Sequence, residues 1–203
     1  SISGAVLTIN PTANLDSSQG YYVQVDATAI DDTSGNSFAG INDTTTLNFT
    51  AADVVAPILS STSPTDNATG VAAGANIVLT FNENVAAGSG NITLKKSSDN
   101  STVQAMAVGG ANVSISGAVV TINPTANLAS SQGYYVQLDA TAIDDTSGNS
   151  FAGVSDTTTL NFTAADSSGP AVASSSPADD ATGVAVDANI VLTFDENVVV
   201  GSG

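Results

Sequence analysis

The chain contains no cysteine, no histidine and no tryptophan, and its only basic side chains are two lysines, Lys95 and Lys96. Each absence closes a class of function. Without cysteine there is neither a disulfide framework nor a thiol nucleophile, and without histidine the commonest general base is missing. Two basic residues against 19 acidic ones give a net charge of −17. Nucleic acid is bound by Lys and Arg that displace its counterions, so this chain is excluded as a nucleic-acid binder. Anionic membrane surfaces repel it as well. No apolar run approaches the roughly 18 residues of a membrane span, and no signal peptide is evident. No segment carries a helical apolar stripe over three turns.

What the chain does contain is itself, more than once. Ser1–Thr50 reads almost letter for letter as Ser114–Thr163, and Gly169–Gly203 re-reads Ala56–Gly90, both at an offset of 113 residues. Residues 1–55 are therefore the C-terminal part of one repeat, 56–168 a complete repeat, and 169–203 the N-terminal part of a third. A unit of about 110 residues is large enough to bury its own core. The expectation is a string of beads in a longer covalent array. The other possibility is that the two incomplete ends pair between molecules by strand addition. Joining them supplies no counterpart of Asn91–Val113, which argues for the array.

Within the complete unit, apolar and polar residues alternate with the period of half-buried strands. Seven strands are expected, near Ile58–Ser63, Asn76–Phe81, Asn91–Lys96, Thr102–Val108, Val113–Asn123 (broken at Ser116-Gly117), Tyr134–Ile143 and Thr157–Thr163. Ile77, Leu79 and Phe81 would face inward, Val78 and Thr80 outward. Turn-rich stretches such as NPTANL and DDTSGNSFAG separate the strands. This is the profile of an all-β, immunoglobulin-like Greek-key sandwich. Tyr134 and Tyr135, following Leu128 and Gly133, occupy the place of the tyrosine corner, in which a hydroxyl ties down the preceding loop.

Specific motifs narrow the comparison. SSTSPTDNATGVAAGANIVLTFNENV, GNITLKK, TINPTANL, YYVQLDATAIDDTSGNSFAG and TLNFT resemble the bacterial Ig-like tandem repeat of the SbsA type, and the resemblance extends over both partial copies. It implies an extracellular module of the bacterial cell surface: a spacer, an adhesin stalk or a surface-layer brick, with neighbouring repeats and other copies in a filament or layer as its partners. It implies no enzyme. The residues agree, since Lys95 and Lys96 sit in an expected strand beside Ser97 and Ser98 as ordinary solvated side chains.

The acids are the remaining chemistry. In such a sandwich the incoming linker, the loop after the second strand and the loop after the sixth share one end. They carry Asp53, Glu83 and the Asp144/Asp145/Asn149 loop. Asp66 lies at the other end, where Asp166 leads into the next unit with its Asp179 and Glu196. Calcium takes six to eight oxygens from carboxylates, carbonyls and Asn side chains. The sequence therefore predicts calcium at the junctions, held by residues from this set of nine. The competing reading of the AIDDTSGN loop is a turn held by its own Asp side chain. The competing function is a carbohydrate-binding sandwich, which usually wants exposed aromatic platforms. Asn67, Asn82, Gly74 and Asp16 become Asp180, Asp195, Asp187 and Ala129 in the other copies, which makes them weak ligand candidates.

Overall fold

A computed structural model describes residues 1–202. Alternation in the sequence becomes alternation in burial. Along Ile77–Phe81 the odd-numbered residues are buried and Val78 and Thr80 are only partly covered. The same two-residue period recurs along Val119–Ile122, where Val120 and Ile122 are the buried pair.

The complete repeat holds eleven strands: β1 (Leu59–Ser63), β2 (Ala68–Val71), β3 (Ile77–Phe81), β4 (Val85–Ala87), β5 (Asn91–Lys96), β6 (Thr102–Ala107), β7 (Val113–Ser116), β8 (Val119–Ile122), β9 (Gly133–Leu138), β10 (Ile143–Asp145) and β11 (Asn161–Ala164). One sheet has the order β6-β5-β9-β11-β2, a second the order β7-β8-β3-β1, and β10 pairs with β4 in a two-stranded ribbon. All pairings are antiparallel except β11 with β2. The core lies between the sheets, with Leu79, Ile92, Leu94, Val120, Ile122 and Ile143 fully buried in it. Phe81 meets Phe151 edge-on at 5.2 Å, and Tyr134 stacks on Phe162 at 5.9 Å.

The all-β class and the sandwich stand as expected, but the strand count does not. The expected fifth strand is a hairpin, β7–β8, turning at Gly117 with φ +58°. The expected sixth divides into β9 and β10. The expected seventh starts late, because Asp156 accepts the amides of Thr158 and Thr159 and holds Thr157–Leu160 in a turn. Strands β2 and β4 were not expected at all.

The tyrosine corner is formed. The Ala129 amide donates to the Tyr134 hydroxyl at 2.8 Å, and in the first partial repeat the Asp16 amide donates to Tyr21 at 2.7 Å. The bond uses only the main chain of residues 16 and 129, which explains why Asp in one copy is Ala in the other. Two further differences are equally neutral. Asn82 Oδ1 accepts the Ile58 amide at 2.7 Å, as Asp195 Oδ1 accepts that of Ala171 at 2.8 Å. Asn67 and Asp180 both occupy the left-handed region, φ +59° and +58°, which these two side chains tolerate.

The partial repeats keep fragments of the same pattern. Ile2–Ser3 pairs with Val6–Leu7, Gly20–Tyr22 with Asn48–Thr50, and Val172–Ser176 with Val191–Phe194. Their apolar faces lie open. Leu79→Ala should destabilise the complete repeat by about 2–5 kcal/mol, since its side chain is wholly enclosed. Urea unfolding followed through tyrosine fluorescence measures this directly.

Candidate functional site

The loop between β10 and the segment that follows is built by one carboxylate. Asp145 Oδ1 accepts the amides of Ser147 and Asn149, both at 2.8 Å, and Oδ2 accepts Asn149 Nδ2 at 2.7 Å. Gly148, at φ +91°, supplies the left-handed turn that lets the chain curl around it. Asp32 does the same in the first partial repeat, accepting Ser34 N, Asn36 N and Asn36 Nδ2 at 2.9, 2.8 and 2.7 Å. The turn reading of AIDDTSGN is thus realised in both copies. It leaves Asp145 buried, with lone-pair capacity on Oδ2 beyond the Asn149 bond.

Two more carboxylates converge on it. One oxygen each from Asp53, Glu83 and Asp145 lie within 4.8 Å of one another, the one such group of three or more among the described residues. Asp53 arrives from the linker, and Glu83 from the turn between β3 and β4. Asn149 Nδ2 also reaches the Asp53 carbonyl at 3.4 Å, tying the linker to the loop.

Asp53 faces two ways. Its Oδ1 accepts the Ser17 hydroxyl at 2.9 Å and the Val55 amide at 3.1 Å, while Ser17 Oγ accepts the Val54 amide at 2.9 Å. Ser17 belongs to the preceding repeat, so one side chain couples the end of one unit to the acid group of the next. The arrangement recurs one repeat later. Asp166 Oδ1 accepts Ser130 Oγ at 2.7 Å and the Ser168 amide at 3.0 Å, and Ser130 Oγ accepts the Ser167 amide at 2.9 Å. Neither serine stands out in the sequence. The signal was the doublet of Ser before Gln-Gly-Tyr-Tyr in both copies.

Of the nine residues singled out from sequence, the structure brings together Asp53, Glu83 and Asp145, with Asn149 beside them. Asp144 is engaged elsewhere, accepting Ser150 Oγ at 2.5 Å. Asp66 does not join a junction cluster: its Oδ1 accepts the amide and side chain of Asn161 at 3.1 and 3.0 Å, fastening the β1–β2 connection to β11. Asp166, Asp179 and Glu196 join no group of three acids among the described residues. Asp166 and Glu196 are nevertheless the counterparts of Asp53 and Glu83 at the 113-residue offset.

The electrostatics follow from this crowding. Burial, and then the charges of Asp145 and Asp53, push the Glu83 carboxyl above its ordinary value. Burial pushes Asp145 upward too, but the bonds from Asn149, Ser147 and Gly148 outweigh it and hold the group below the usual aspartate range. The two lysines both lie on β5, where Lys95 Nζ stands 5.8 Å above the Tyr135 ring and donates to Gln137 Oε1 at 3.4 Å.

A pH dependence with two limbs results. A raised carboxyl such as Glu83 favours folding at low pH, and that contribution is lost as pH rises through its folded pKa. Asp156 is held at about 2 by the amide of Thr158 and the hydroxyl and amide of Thr159. Its contribution is present above the ordinary aspartate range and is lost as pH falls toward 2. In EDTA, the melting temperature should therefore rise as pH drops from 7 toward the ordinary glutamate range, then fall below it. Glu83→Gln should flatten the upper limb and leave the lower one. An unchanged upper limb in that variant would show that Glu83 is not its source.

Comparison with known proteins gives the context of this geometry. No curated protein matches the chain. Among solved structures it is similar to CopC from Methylosinus trichosporium OB3b, at 18% identity and TM-score 0.40, over 56% of this chain and 97% of that one. It is similar also to the S-layer protein rSbsC(31-844), at 19% identity and TM-score 0.36, over 58% of this chain and 15% of that one. A crystal structure of the N-terminal part of the bacterial S-layer protein SbsC matches at 20% identity and TM-score 0.37, over 58% and 25%. The chain spans only a small part of these S-layer proteins. The family comparison covers nearly every residue: 1–51, 53–164 and 166–203 each match the bacterial Ig-like domain. With three successive matches at the spacing of its own internal repeat, the chain belongs to the bacterial Ig-like domain family.

Proposed function

We propose that this chain is a stretch of a bacterial cell-surface fibre, adhesin stalk or surface layer, a non-enzymatic structural array whose junctions are stiffened by calcium. The observation that carries the proposal is the double engagement of Asp53. From the linker it is bonded to Ser17 of the first partial repeat and stands within 4.8 Å of Glu83 and Asp145 of the complete one. A cation there would draw the linker onto the second unit while Ser17 holds it to the first. Three carboxylates, completed by water, match the hard oxygen donors calcium requires. The near absence of basic residues supports a metal as the counter-charge, since two lysines face 19 acidic residues. Family membership and tandem near-identity support a mechanical, periodic role. Among the described residues, no helix is long and apolar enough to cross a membrane.

The carbohydrate-binding alternative finds no support in the complete repeat. Phe81, Tyr134, Tyr135 and Phe162 are buried there and Phe151 is half-buried, so no ring stands out as a stacking platform.

Melting of the full chain in excess calcium and in EDTA tests the proposal. A ligand that binds only the folded state stabilises it by about 2.7 kcal/mol at a hundredfold excess over Kd. For a unit of this size that is a rise on the order of 10 °C. Asp53→Asn should abolish most of the rise, whereas Asp66→Asn should leave it intact. An unchanged melting temperature with calcium in the wild-type chain would sink the calcium reading and leave the acids as solvated surface.

A further inference from the structure

We propose that Ser130 and Ser17 are positioning residues that clip each linker to the repeat it leaves, so that bending between repeats is confined to two linker residues, Ala56-Pro57 in one junction and Gly169-Pro170 in the other. The inference rests on hydrogen bonds between protein groups and not on calcium. The clip starts from the sheet. Past β11 the chain stays paired with the stretch that enters β9: Ala164 N donates to Gln132 O at 3.0 Å, and Ser131 N to Ala165 O at 3.2 Å. Ser131 sits at φ +57°, in the left-handed region that L residues seldom adopt. Beside it, Ser130 Oγ donates to Asp166 Oδ1 at 2.7 Å and accepts the Ser167 amide at 2.9 Å, while Asp166 Oδ1 also accepts the Ser168 amide at 3.0 Å. A hydroxyl can give and accept at once, which this place requires.

Ser17, Asp53, Val54 and Val55 repeat these contacts bond for bond. Ser18 is left-handed as well, at φ +58°, and its amide meets Ala52 O at 3.3 Å. Yet the two linkers have different side chains, Val54-Val55 in one and Ser167-Ser168 in the other. To the clip each linker supplies only a carboxylate and two main-chain amides, and Val54 is 72% exposed. A geometry that survives the exchange of two valines for two serines is set by the clip and not by the linker's own preference.

The far end of each linker is held by the unit it enters. Ile58 N donates to Asn82 Oδ1 at 2.7 Å, and Asn82 N donates back to Ile58 O at 3.0 Å. Ala171 and Asp195 make the same exchange at 2.8 and 3.0 Å. Two residues remain between the fixed ends in each case. The amides of Ala56 and Gly169 find no acceptor among the described residues, and Pro57 and Pro170 have none to offer. Proline restricts its own φ, so the remaining freedom lies mainly in Ala56 and Gly169, of which glycine is the looser. One contact spans the first gap, the long 3.4 Å bond from Asn149 Nδ2 to the Asp53 carbonyl.

Amide hydrogen exchange and backbone amide relaxation, read by NMR on the full chain in EDTA, test the clip. The Ser167 and Ser168 amides should exchange about tenfold below their intrinsic rates, the ratio that one net hydrogen bond of ordinary strength sustains. They should also be as rigid as β11, with Gly169 looser. Ser130→Ala should return Ser167 to its intrinsic rate and extend the mobility of Gly169 to it, leaving Val54 and β9 unchanged. Ser130→Thr keeps the hydroxyl and should keep the protection. Unchanged melting of the complete repeat verifies the fold of both variants. A wild type in which Ser167 exchanges at its intrinsic rate overturns the proposal. So does protection that survives Ser130→Ala or is lost in Ser130→Thr, because the hydroxyl would then not be its source.

Discussion

The sandwich depends on one pairing between distant parts of the sequence, that of β3 with β8. These strands are separated by β4 to β7, yet they form the middle of the four-stranded sheet and bring Leu79 and Ile77 into line with Val120 and Ile122. Loop closure must come before any of that burial is gained. In the complete repeat the front and back halves bury each other's apolar residues through this pairing.

Once the sheets meet, the ends are fixed by aspartates acting as acceptors for main-chain amides. Asp145 and Asp32 organise one loop, Asp156 and Asp43 another, and Asp66 fastens β11 to the start of β2. In a protein without disulfides and with two basic residues, this is how long turn-rich connections are held. It also means that much of the negative charge is committed to structure. The exception is the meeting of Asp53, Glu83 and Asp145, where carboxylates approach one another and Glu83 bears the cost in a raised pKa.

Much of this was legible in the residues. Period-two alternation located β1, β3, β5, β6 and β8, and the paired tyrosines announced the corner at Ala129. The end of the sandwich shared by Asp53, Glu83 and Asp145 followed from strand order alone. The misses have physical reasons. β2, Ala-Thr-Gly-Val, lies at a sheet edge, pairs in parallel and carries little alternation to detect. β9 and β10 are continuous in pattern but leave the sheet between Leu138 and Ile143, a bend that periodicity does not record. Topology alone points Asp66 toward a junction, whereas Asn161, 95 residues away, claims it. The bond of Ser17 to Asp53 spans 36 residues of sequence and leaves no local pattern.

The placing of the two lysines has one more consequence. Trypsin-like proteases cut after Lys or Arg, and need that segment free and extended in their cleft. Here the only two candidates stand side by side in β5, hydrogen-bonded to β6 on one side and β9 on the other. The only sulfur, that of Met106, is buried, so an oxidant attacking methionine meets the same closed door. The complete repeat offers such a protease or oxidant a target only after the sheet itself has opened.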